Sequence, residues 1–403
     1  MRLAVVSPFL DKQHGTEMCI VEQIERFVQQ NDWTIELYAQ QVSQVDGIRP
    51  VERSKNPPAG IYWHRISGVP GPHLLKFIWW FFVNHWRRWQ DNRSGRVRPD
   101  LIYTPGTNCL DADLIMVQIV FHAFYEQARG ELLLRLVPLR TWPRLIHRKL
   151  YYQLIMFLER RIYRDPRVCL VAVSHLIARQ IQQFLGRTDV VVIPNTVDTG
   201  RFNPEIRRAR RLELRKAFHL ADNSFVILLI GNDWKKKGLD TLLRAFANLR
   251  DLPVRLMVVG KDDRELYRSV IHELGLQDIV SFHTPSSDVV QFYAAADIYA
   301  GPSLEDGFNL PILEAMACGL PVIASIQTGA SENITDGENG LILKDPQDEK
   351  QLARFVRQLY ADSALRQRIA VAASEFVRQH GSWDQNADAT RRLLESINHR
   401  KST

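Results

Sequence analysis

The sequence predicts an α/β protein with two domains, each built on a parallel sheet. Three observations lead to this prediction. The chain has 403 residues, which is more than a single hydrophobic core usually organises. Apolar runs of strand length alternate with helix-patterned stretches in two separate blocks, as in parallel sheets whose faces are covered by helices. Between the blocks, at 190–204, an apolar strand breaks into a polar turn that contains proline, which is typical of an interdomain crossover.

The first block extends from residue 1 to about residue 195. Its apolar runs predict strands at 3–9, 34–40, 100–104, 113–120 and 168–174. Gly15 follows the first run and opens a stretch with the apolar spacing of a helix. A glycine at such a turn lets the backbone come close to a bound group. We predict a first Rossmann-like domain over residues 1–194.

The second block begins near residue 225. Its apolar runs predict strands at 225–231, 254–260, 279–284, 297–303 and 321–325. We predict a second Rossmann-like domain over 195–381 and a final helix over 382–403 that packs back on the first domain. Because ligands of open α/β sheets bind beyond the carboxyl ends of the strands, we expect the site in a cleft between two Rossmann-like domains that face each other.

The composition is that of a folded globular chain, with 45% hydrophobic and 24% charged residues. The four cysteines are far apart and lack a paired metal-ligand spacing. They therefore predict reduced thiols and a cytoplasmic protein. The N-terminus enters an apolar strand after a single arginine, which is not typical of a secretory signal.

The net charge of +7 is unevenly distributed. Residues 1–200 hold 25 Lys and Arg against 18 Asp and Glu, and the remainder holds 27 against 27. Within 76–167 the count is 16 basic to 8 acidic, mixed with tryptophans and leucines. This pattern favours an anionic surface as the partner. No motif for nucleic-acid binding accompanies it, and we expect no nucleic-acid partner.

The most informative segment is 295–325, which has the pattern of a strand, a polar loop, a short helix and a second strand. Pro311 suits the first turn of that helix. Gly307 lets the backbone approach a ligand, and the free N–H groups at the helix start favour a phosphate or polyhydroxyl group. Asp306 and Glu314 lie at opposite ends of the turn, so one carboxylate can face a sugar while the other accepts hydrogen bonds from a ribose diol. An ordinary βαβ turn with a solvated acid explains the same pattern about equally well.

The run from Asp306-Gly-Phe-Asn to Glu314-Ala-Met-Ala-Cys-Gly resembles the donor-site signature of the family 4 retaining glycosyltransferases, which have the two-domain GT-B fold. The family form is Glu-x7-Glu, so the shorter Asp306 stands for the first acid, and Asn309 replaces a usual glycine. The resemblance implies that Glu314 binds the ribose hydroxyls of a nucleotide-sugar donor and that Asp306 contacts the sugar. It also implies donor contacts from the residues after Asp306, namely Gly307, Phe308, Asn309 and Leu310.

A second element of the donor site is the basic loop that follows Gly231. Lys235, Lys236 and Lys237 could supply the fixed positive charge that stabilises a departing nucleoside diphosphate. A solvated surface carries similar runs of charge, which is the ordinary alternative. The loop resembles the family pattern G-R-x4-K-G, which makes Lys237 the matching lysine and places Asn232 where the arginine usually stands. Lys235 is then the compensating cation in the loop.

The resemblance also implies that the domain over 1–194 binds the acceptor and the domain over 195–381 binds the nucleotide-sugar donor. Two residues of the first block complete it. It implies that the turn at Gly15 lies near the donor phosphates. His122 follows the apolar run at 113–120 and matches a family histidine that faces the donor sugar, so that His122, Lys237 and Asp306 are the expected catalytic residues. A single histidine after an apolar strand is more often a structural residue, so this assignment depends mainly on the resemblance.

Several patterns for other chemistries are absent or weak. The sequence contains no GxGxxG, P-loop, HExxH or GxSxG motif, which excludes the usual nicotinamide, kinase, zinc-protease and serine-hydrolase patterns. Asp111 and Asp113 form a DxD tripeptide, which binds a metal in the other glycosyltransferase fold class, but here the tripeptide simply precedes a strand. We expect no metal and no cofactor besides the nucleotide-sugar co-substrate.

The acceptor half contains two aromatic and basic segments, 73–89 and 132–164. The first has seven consecutive apolar residues between flanking cations, which is too short to span a bilayer. Such segments suit the lipid headgroup boundary. We expect Trp79, Trp80 and Phe81 to face an anionic membrane; helices that bury their aromatic faces are the alternative.

These expectations describe a glycosyltransferase on the inner face of the membrane. It would move a sugar from a nucleotide-diphosphate sugar to a hydroxyl of a lipid-linked or cell-envelope glycan, with retention of configuration. The choice between UDP and GDP stays open. Two alternatives also stay open: a catalytically weak sugar-nucleotide-binding protein, motivated by the departures at Asn232, Asp306 and Asn309, and a sugar-nucleotide epimerase of the same fold.

Overall fold

The computed structural model describes residues 1–12, 14–51, 57–95, 97–128 and 142–402. The chain divides into two compact units, Met1–Asn195 with Trp383–Thr403, and Thr196–Ser382. Each predicted domain boundary lies one residue before the corresponding limit of a unit. Both units consist of parallel strands and helices, which confirms the predicted α/β class.

The first unit is built on a parallel sheet. Its strands in the described residues are β1 (Arg2–Val6), β2 (Phe9–Leu10), β3 (Thr34–Ala39), β4 (Gln41–Val42), β5 (Ile48–Arg49), β6 (Gly60–Arg65), β7 (Leu101–Pro105), β8 (Leu114–Val117), β9 (Cys169–Ala172) and β10 (Val191–Val192). Its helices before the last are α1 (Gly15–Asn31), α2 (His73–Arg93), α3 (Phe121–Ala128), α4 (Trp142–Tyr163) and α5 (His175–Leu185). Eight strands pair in the order β10-β9-β8-β7-β1-β3-β6-β5, and β2 pairs with β4. Leu3 lies opposite Ile35 on one side and Leu101 on the other. The strand order therefore reverses between β1 and β7, which is where open α/β sheets bind ligands.

Strand β6, beside β3, was not predicted. Its sequence, GIYWHR, lacks the continuous apolar run of the other buried strands. His64 is nevertheless buried, and its ring lies 2.6 Å from a carboxylate oxygen of Glu36 and 3.2 Å from one of Asp91. Burial alone would lower the pKa of His64, but hydrogen bonds to the two carboxylates raise it above its usual value. The burial of His64 in β6 therefore depends on ion pairs with residues that are distant in sequence, which a continuous apolar run would not indicate.

The second unit is built on a parallel sheet as well. Its described strands are β11 (Phe225–Ile230), β12 (Val254–Val259), β13 (Val280–His283), β14 (Ile298–Gly301), β15 (Val322–Ser325) and β16 (Leu341–Leu343). Its α-helices are α6 (Pro204–Ala217), α7 (Leu239–Ala247), α8 (Glu265–Glu273), α9 (Val290–Ala295), α10 (Leu310–Ala317), α11 (Glu349–Ala361) and α12 (Ser363–His380). The strands pair in the order β13-β12-β11-β14-β15-β16. Here the order reverses between β11 and β14, so the loops after these two strands are neighbours.

The last helix, α13 (Trp383–Ser402), belongs to the first unit. It packs on α1 through polar side chains. Gln23 Nε2 donates hydrogen bonds to Asn386 Oδ1 (2.7 Å) and Thr390 Oγ1 (3.2 Å). Arg26 Nε donates to an Asp384 oxygen at 2.7 Å. Because the Gln23 group is buried, these bonds satisfy polar atoms that would otherwise be costly to bury.

Helix α2 has two different faces, which corrects one prediction. Trp80 is 2% exposed and Phe81 is 9% exposed, so both are core residues and were wrongly predicted to face a membrane. The opposite face carries apolar side chains that are 40–69% exposed at helical spacing, namely Leu75, Trp79, Phe82, Trp86 and Trp89. We call this set the aromatic stripe. A run of aromatic residues does not indicate which of them point outward, and the 3.6-residue period of the helix separates the two groups.

The second basic and aromatic segment is only partly described, since residues 132–141 lie outside the described ranges. Residues 142–163 form α4. Three of its apolar side chains are exposed, Ile146, Leu150 and Phe157. In the part of the chain that the structure describes, no helix combines the length and the apolar character needed to cross a membrane.

Candidate active site

In the second unit, the loops after β11 and β14 meet at the point where the strand order reverses. The backbone N–H of Leu304 donates to the carbonyl of Lys236 (2.8 Å) and joins the two loops. Gly238 comes so close to the second loop that an added Cβ would lie 2.0 Å from the Pro302 carbonyl oxygen. The two loops that carry the predicted donor motifs are therefore held in direct contact.

Lys237 is the centre of this region. Its Nζ contacts a carboxylate oxygen of Asp306 and donates to Asn309 Oδ1 at 3.1 Å. The side chain passes over Gly231, where an added Cβ would lie 2.6 Å from Lys237 Cε. Gly231 also has a φ of +150°, a conformation that favours glycine. The glycine before the basic loop therefore gives the lysine its path to the second loop.

Asn309 has a left-handed backbone, with φ 69° and ψ 68°, immediately before α10. Glycine adopts this conformation readily, and asparagine is among the few other residues that do. The side chain also donates from Nδ2 to Ser303 Oγ (3.2 Å). The usual family glycine at this position is thus replaced by a residue that keeps the backbone geometry and adds a bond to Lys237. Gly307 and the buried residues Phe308 and Leu310 complete this loop.

Glu314 lies on α10, one turn beyond the loop. The buried Tyr293 hydroxyl donates to its Oε2 at 2.5 Å. Desolvation raises the pKa of the Glu314 carboxyl above its usual value, while the Tyr293 bond and the positive charges of Arg201 and Lys237 act against this shift. Further hydrogen-bond donors would stabilise the charged form of a carboxylate in such surroundings. The two hydroxyls of a ribose are donors of this kind.

The other predicted residues of the basic loop have surroundings that differ from those of Lys237. Asn232 Oδ1 accepts from the backbone N–H of Lys261 (2.8 Å) and so closes the loop. Lys235 is exposed. Lys236 lies 3.5 Å from Asp233, and burial lowers its pKa. Among the three lysines, Lys237 is the one with described bonds to Asp306 and Asn309.

In the first unit, Gly15 follows β1 and β2, and His122 follows β8, which pairs with β7. Gly15 is the first residue of α1, directly after a turn in which the His14 ring contacts Asp11 at 2.8 Å. His122 lies in the first turn of α3, and its Nδ1 is 2.7 Å from Glu159 Oε2. A cavity of about 290 Å³ lies at the carboxyl ends of β1, β7 and β8. It is lined in part by Thr16, Glu17, Asn108, Gln118 and Phe121.

The DxD aspartates are engaged in other contacts. The two terminal guanidinium nitrogens of Arg88, Nη1 and Nη2, donate to Asp111 at 2.7 and 2.8 Å. Asp113 lies 2.5 Å from Lys401 Nζ and accepts from the Ile102 backbone N–H. Within the described ranges, no three His, Cys, Asp or Glu side chains are grouped as a metal site would require.

Among the described residues that contact the predicted site residues, Tyr293, Ser303 and Glu159 were not found from the sequence. Tyr293 lies in an apolar helix and Glu159 among aromatic and basic residues, where neither pattern indicates a polar partner. Their contacts join residues 6 to 37 positions apart, and such pairs carry no local sequence signal.

Two family models match the chain in succession. The model described as Glycosyltransferase Family 4 matches residues 14–201. The model described as Glycosyl transferases group 1 matches residues 210–376, the part that contains both loops of the candidate site. The matches together extend over most of both units.

Individual relatives agree with this assignment. The D-inositol 3-phosphate glycosyltransferase of Xylanimonas cellulosilytica is 35% identical over 208 residues, which are 49% of this chain and 49% of that protein. The lipopolysaccharide glucosyltransferase WaaG of Escherichia coli is 26% identical over 189 residues, 46% of this chain and 50% of that protein. The chain thus spans about half the length of the curated relatives that it matches.

Structural similarity covers more of the chain than the sequence matches do. The crystal structure of WaaG, a glycosyltransferase involved in lipopolysaccharide biosynthesis, matches with a TM-score of 0.77 at 18% identity and covers 97% of this chain and 99% of that chain. At this identity the match shows a shared fold. With both family models matching in succession, the chain belongs to the family 4 glycosyltransferases and has their GT-B fold.

Proposed function

We propose that the protein is a retaining glycosyltransferase that takes a sugar from a nucleotide-diphosphate sugar. The observation that carries the proposal is the cluster of Lys237, Asp306 and Asn309 at the reversal point of the second sheet. Glu314 stands one helical turn away with a single described donor, Tyr293. This arrangement supports the proposal that a cation for a diphosphate and a carboxylate for a ribose lie on adjacent elements.

The donor would use these groups in different ways. Glu314 would accept hydrogen bonds from the ribose hydroxyls, and Lys237 would exchange Asp306 for the diphosphate oxygens. Asp306 would then be released to contact the sugar, and Gly231, Asn232 and Lys235 would lie along the phosphates. The Lys237–Asp306 pair and a Lys237–diphosphate contact are both charge-assisted, so an anionic ligand can replace the carboxylate without leaving the lysine charge unpaired.

In the chemical step, the acceptor hydroxyl oxygen bonds to the anomeric carbon as the bond from that carbon to the diphosphate oxygen breaks. The hydroxyl proton passes to the departing phosphate. Negative charge therefore grows on the diphosphate, beside Lys237, and a preorganised cation lowers the barrier. Attack on the face that the leaving group vacates retains the configuration, which is the general outcome in this family.

The acceptor that we propose is a hydroxyl of a lipid-linked or cell-envelope glycan. One relative supports this class by its name, since WaaG is a lipopolysaccharide glucosyltransferase; the D-inositol 3-phosphate named for the other relative is a small soluble acceptor. The cavity at the carboxyl ends of β1, β7 and β8 is the candidate acceptor pocket. Its walls combine polar side chains such as Asn108 and Gln118 with the aromatic rings of Phe77 and Tyr151, a mixture that suits a sugar ring.

We further propose that the enzyme works at the cytoplasmic face of an anionic membrane, which it contacts through the aromatic stripe of α2. Lys76 is exposed within the stripe, and the guanidinium carbon of Arg93 lies 5.2 Å from the centre of the Trp89 ring. Arg65 and Lys76 line a hollow of about 730 Å³ beside it. Tryptophans flanked by cations suit the headgroup layer because their rings are apolar and their N–H groups are polar.

A donor panel tests the proposed function. UDP, GDP and their glucose, N-acetylglucosamine and mannose conjugates are screened by thermal shift, because a ligand of the native state raises its stability. The stabilising donor is then incubated with lipid-linked acceptors, and the anomeric configuration of the product is read by NMR. Stabilisation without transfer would favour the binding-protein alternative, and conversion of the donor sugar without an acceptor would favour an epimerase. No stabilisation by any nucleotide would contradict the proposal.

A further inference from the structure

The candidate acceptor pocket of the first unit carries a negative charge. Among the described residues that line this cavity of about 290 Å³, Glu17 is the one with a charged side chain, and the others are apolar or polar without charge. Residues 1–200 as a whole hold 25 Lys and Arg against 18 Asp and Glu. The charge of the pocket is therefore opposite in sign to the net charge of the part of the chain that forms it.

The described cations near Glu17 in the sequence are paired with other carboxylates. Lys12 Nζ lies 2.9 Å from a Glu25 oxygen, and the His14 ring lies 2.8 Å from Asp11. Burial raises the pKa of the Glu17 carboxyl, while a hydrogen bond to its own backbone N–H and the charge of His14 act against this shift. Within the described ranges, no Lys, Arg or His side chain forms an ion pair with Glu17. Its charge therefore acts on whatever enters the pocket.

The place of Glu17 on α1 strengthens this effect. The unpaired N–H groups in the first turn of a helix favour anions. His14, which precedes α1, makes no side-chain hydrogen bond to these groups, and Glu17 is the acidic residue of the first turn. The protein thus supplies its own carboxylate at the positive end of the helix. A phosphate that entered the pocket would meet a charge of its own sign there.

The same pocket suits the hydroxyls of a sugar. A carboxylate has oxygens that accept hydrogen bonds from hydroxyl groups, and such bonds are charge-assisted. The rings of Phe77, Phe121 and Tyr151 also line the cavity and offer apolar surface to the C–H groups of a sugar ring. Proteins obtain specificity partly from groups that disfavour the wrong ligand. Glu17 favours a neutral polyol and disfavours a phosphorylated one.

We infer that Glu17 is a specificity-determining residue of the acceptor pocket, which it restricts to uncharged sugar rings by excluding rings that carry a phosphate. This inference rests on the proposed function, in which the cavity receives the acceptor. It narrows the acceptor class: the ring that carries the reacting hydroxyl is neutral, and any phosphate of a lipid-linked glycan lies outside the pocket.

Methyl NMR tests this inference without requiring transfer. Ile119 and Ile155 line the pocket, so shifts of their methyl signals report binding there. The probes are the methyl glycosides of glucose, N-acetylglucosamine and mannose, each compared with its own 6-phosphate. For the pair whose neutral member binds most tightly, we expect the parent to prefer that member at least about tenfold, because like charges side by side disfavour binding. Glu17→Gln should bind both members about equally, and Glu17→Lys should prefer the phosphate.

Three results would overturn the inference. They are equal affinity of the parent for the two members of that pair, an unchanged preference in Glu17→Gln, and the absence of Ile119 and Ile155 shifts with every probe. An unchanged preference combined with a lower melting temperature of Glu17→Gln would assign Glu17 to the start of α1 alone.

Glu22→Gln is the matched control on the same helix. Glu22 pairs with Arg26 at 2.5 Å and is not among the described residues that line the cavity. The substitution changes the net charge by the same amount as Glu17→Gln and should leave the preference within about twofold of the parent. An equal loss of preference in both variants would mean that net charge, and not the position of Glu17, decides the selectivity, and would overturn the inference.

A transfer assay separates this inference from the proposed function. The same probes are incubated with UDP-glucose or GDP-mannose as the donor. Selective binding of the neutral probes without transfer from either donor would count against the proposed function and would support the charge selectivity of the pocket. Transfer by the parent to a phosphorylated ring as readily as to its neutral counterpart would support the proposed function and overturn the inference about Glu17.

Discussion

Glu314 keeps a carboxylate in surroundings that disfavour its charge. Tyr293 donates one hydrogen bond to it, and no other donor to it is found among the described residues. Because its pKa is raised in the folded protein, the folded state holds the proton more tightly than the unfolded chain. The contribution of the protonated Glu314 to folding stability is therefore complete when the pH is below the usual pKa of 4.5. That contribution is lost as the pH rises through the pKa of Glu314 in the folded protein. At neutral pH the buried charge of Glu314 lowers the stability of the folded protein. Hydrogen bonds from a bound ribose would offset that loss.

Glu314→Gln should therefore change stability and donor binding in opposite directions. At pH 7 we expect a higher melting temperature for the variant, with the difference narrowing as the pH falls toward 4.5. Donor affinity should fall by about 1.5–3 kcal/mol, because a neutral amide replaces a charged acceptor. Thermal melts across pH and calorimetric titration with nucleoside diphosphates measure the two effects. Unchanged affinity would remove Glu314 from the donor site.

For Lys237→Ala we expect a loss of turnover on the order of a hundredfold or more, because its charge would act chiefly on the departing diphosphate. Gly231→Ala is a matched test that keeps the charge, since the new Cβ would lie 2.6 Å from Lys237 Cε and displace the lysine. Lys235→Ala, in the same loop but exposed, should have a smaller effect. Steady-state kinetics distinguish a role of Lys237 in turnover from a role in donor binding alone. Reduced donor affinity with normal kcat would make Lys237 a binding residue only.

Substitutions of Asn309 test whether its left-handed backbone conformation is present in solution. Asn309→Gly restores the usual family residue and accepts the φ of +69° without strain. Asn309→Ala forces a side chain without polar groups into the same conformation, which costs about 1–2 kcal/mol relative to glycine. Denaturant unfolding of the two variants should show this difference. Equal stability of the glycine and alanine variants would mean that the left-handed conformation is not retained in solution.

At the scale of secondary-structure elements, α2 separates a core face from the aromatic stripe. Changing Phe82, Trp86 and Trp89 together to serine should weaken binding to anionic vesicles roughly a hundredfold, if each side chain contributes about 1 kcal/mol. The variant should keep its fold and its donor affinity, because the changed side chains are exposed and distant sites usually behave independently. Vesicle sedimentation at low and high salt measures the binding, since salt screens the cationic part.

Two controls test whether the aromatic stripe itself acts. Leu212→Ser with Leu266→Ser removes equally exposed apolar side chains from the second unit and should leave vesicle binding unchanged. Trp80→Ser alters the buried face of α2 and should destabilise the first unit by about 3–5 kcal/mol. A parent protein that ignores anionic vesicles at low salt would contradict the membrane proposal.

At the scale of the whole molecule, the proposed chemistry uses fixed cations and needs no divalent ion. The DxD aspartates are paired with Arg88 and Lys401. We therefore expect glycosyl transfer to continue in excess EDTA, at a rate within about twofold of the untreated enzyme. The assay compares initial rates before and after chelation and after adding magnesium back. A complete loss that magnesium reverses would assign a metal role to Asp111 and Asp113.

The sequence by itself determined the α/β class, the two domains and the family, because continuous apolar runs predict buried parallel strands and the spacing of Asp306 and Glu314 is a local pattern. It could not predict β6, whose buried His64 depends on Glu36 and Asp91. Nor could it separate Trp80 from Trp79, since both belong to one apolar run. The tertiary structure decided these points, together with the contacts of Lys237, Asn309 and Glu159. The physical reason is that burial and hydrogen bonding depend on which distant residues the sheet order brings together, whereas periodicity reports only on neighbours along the chain.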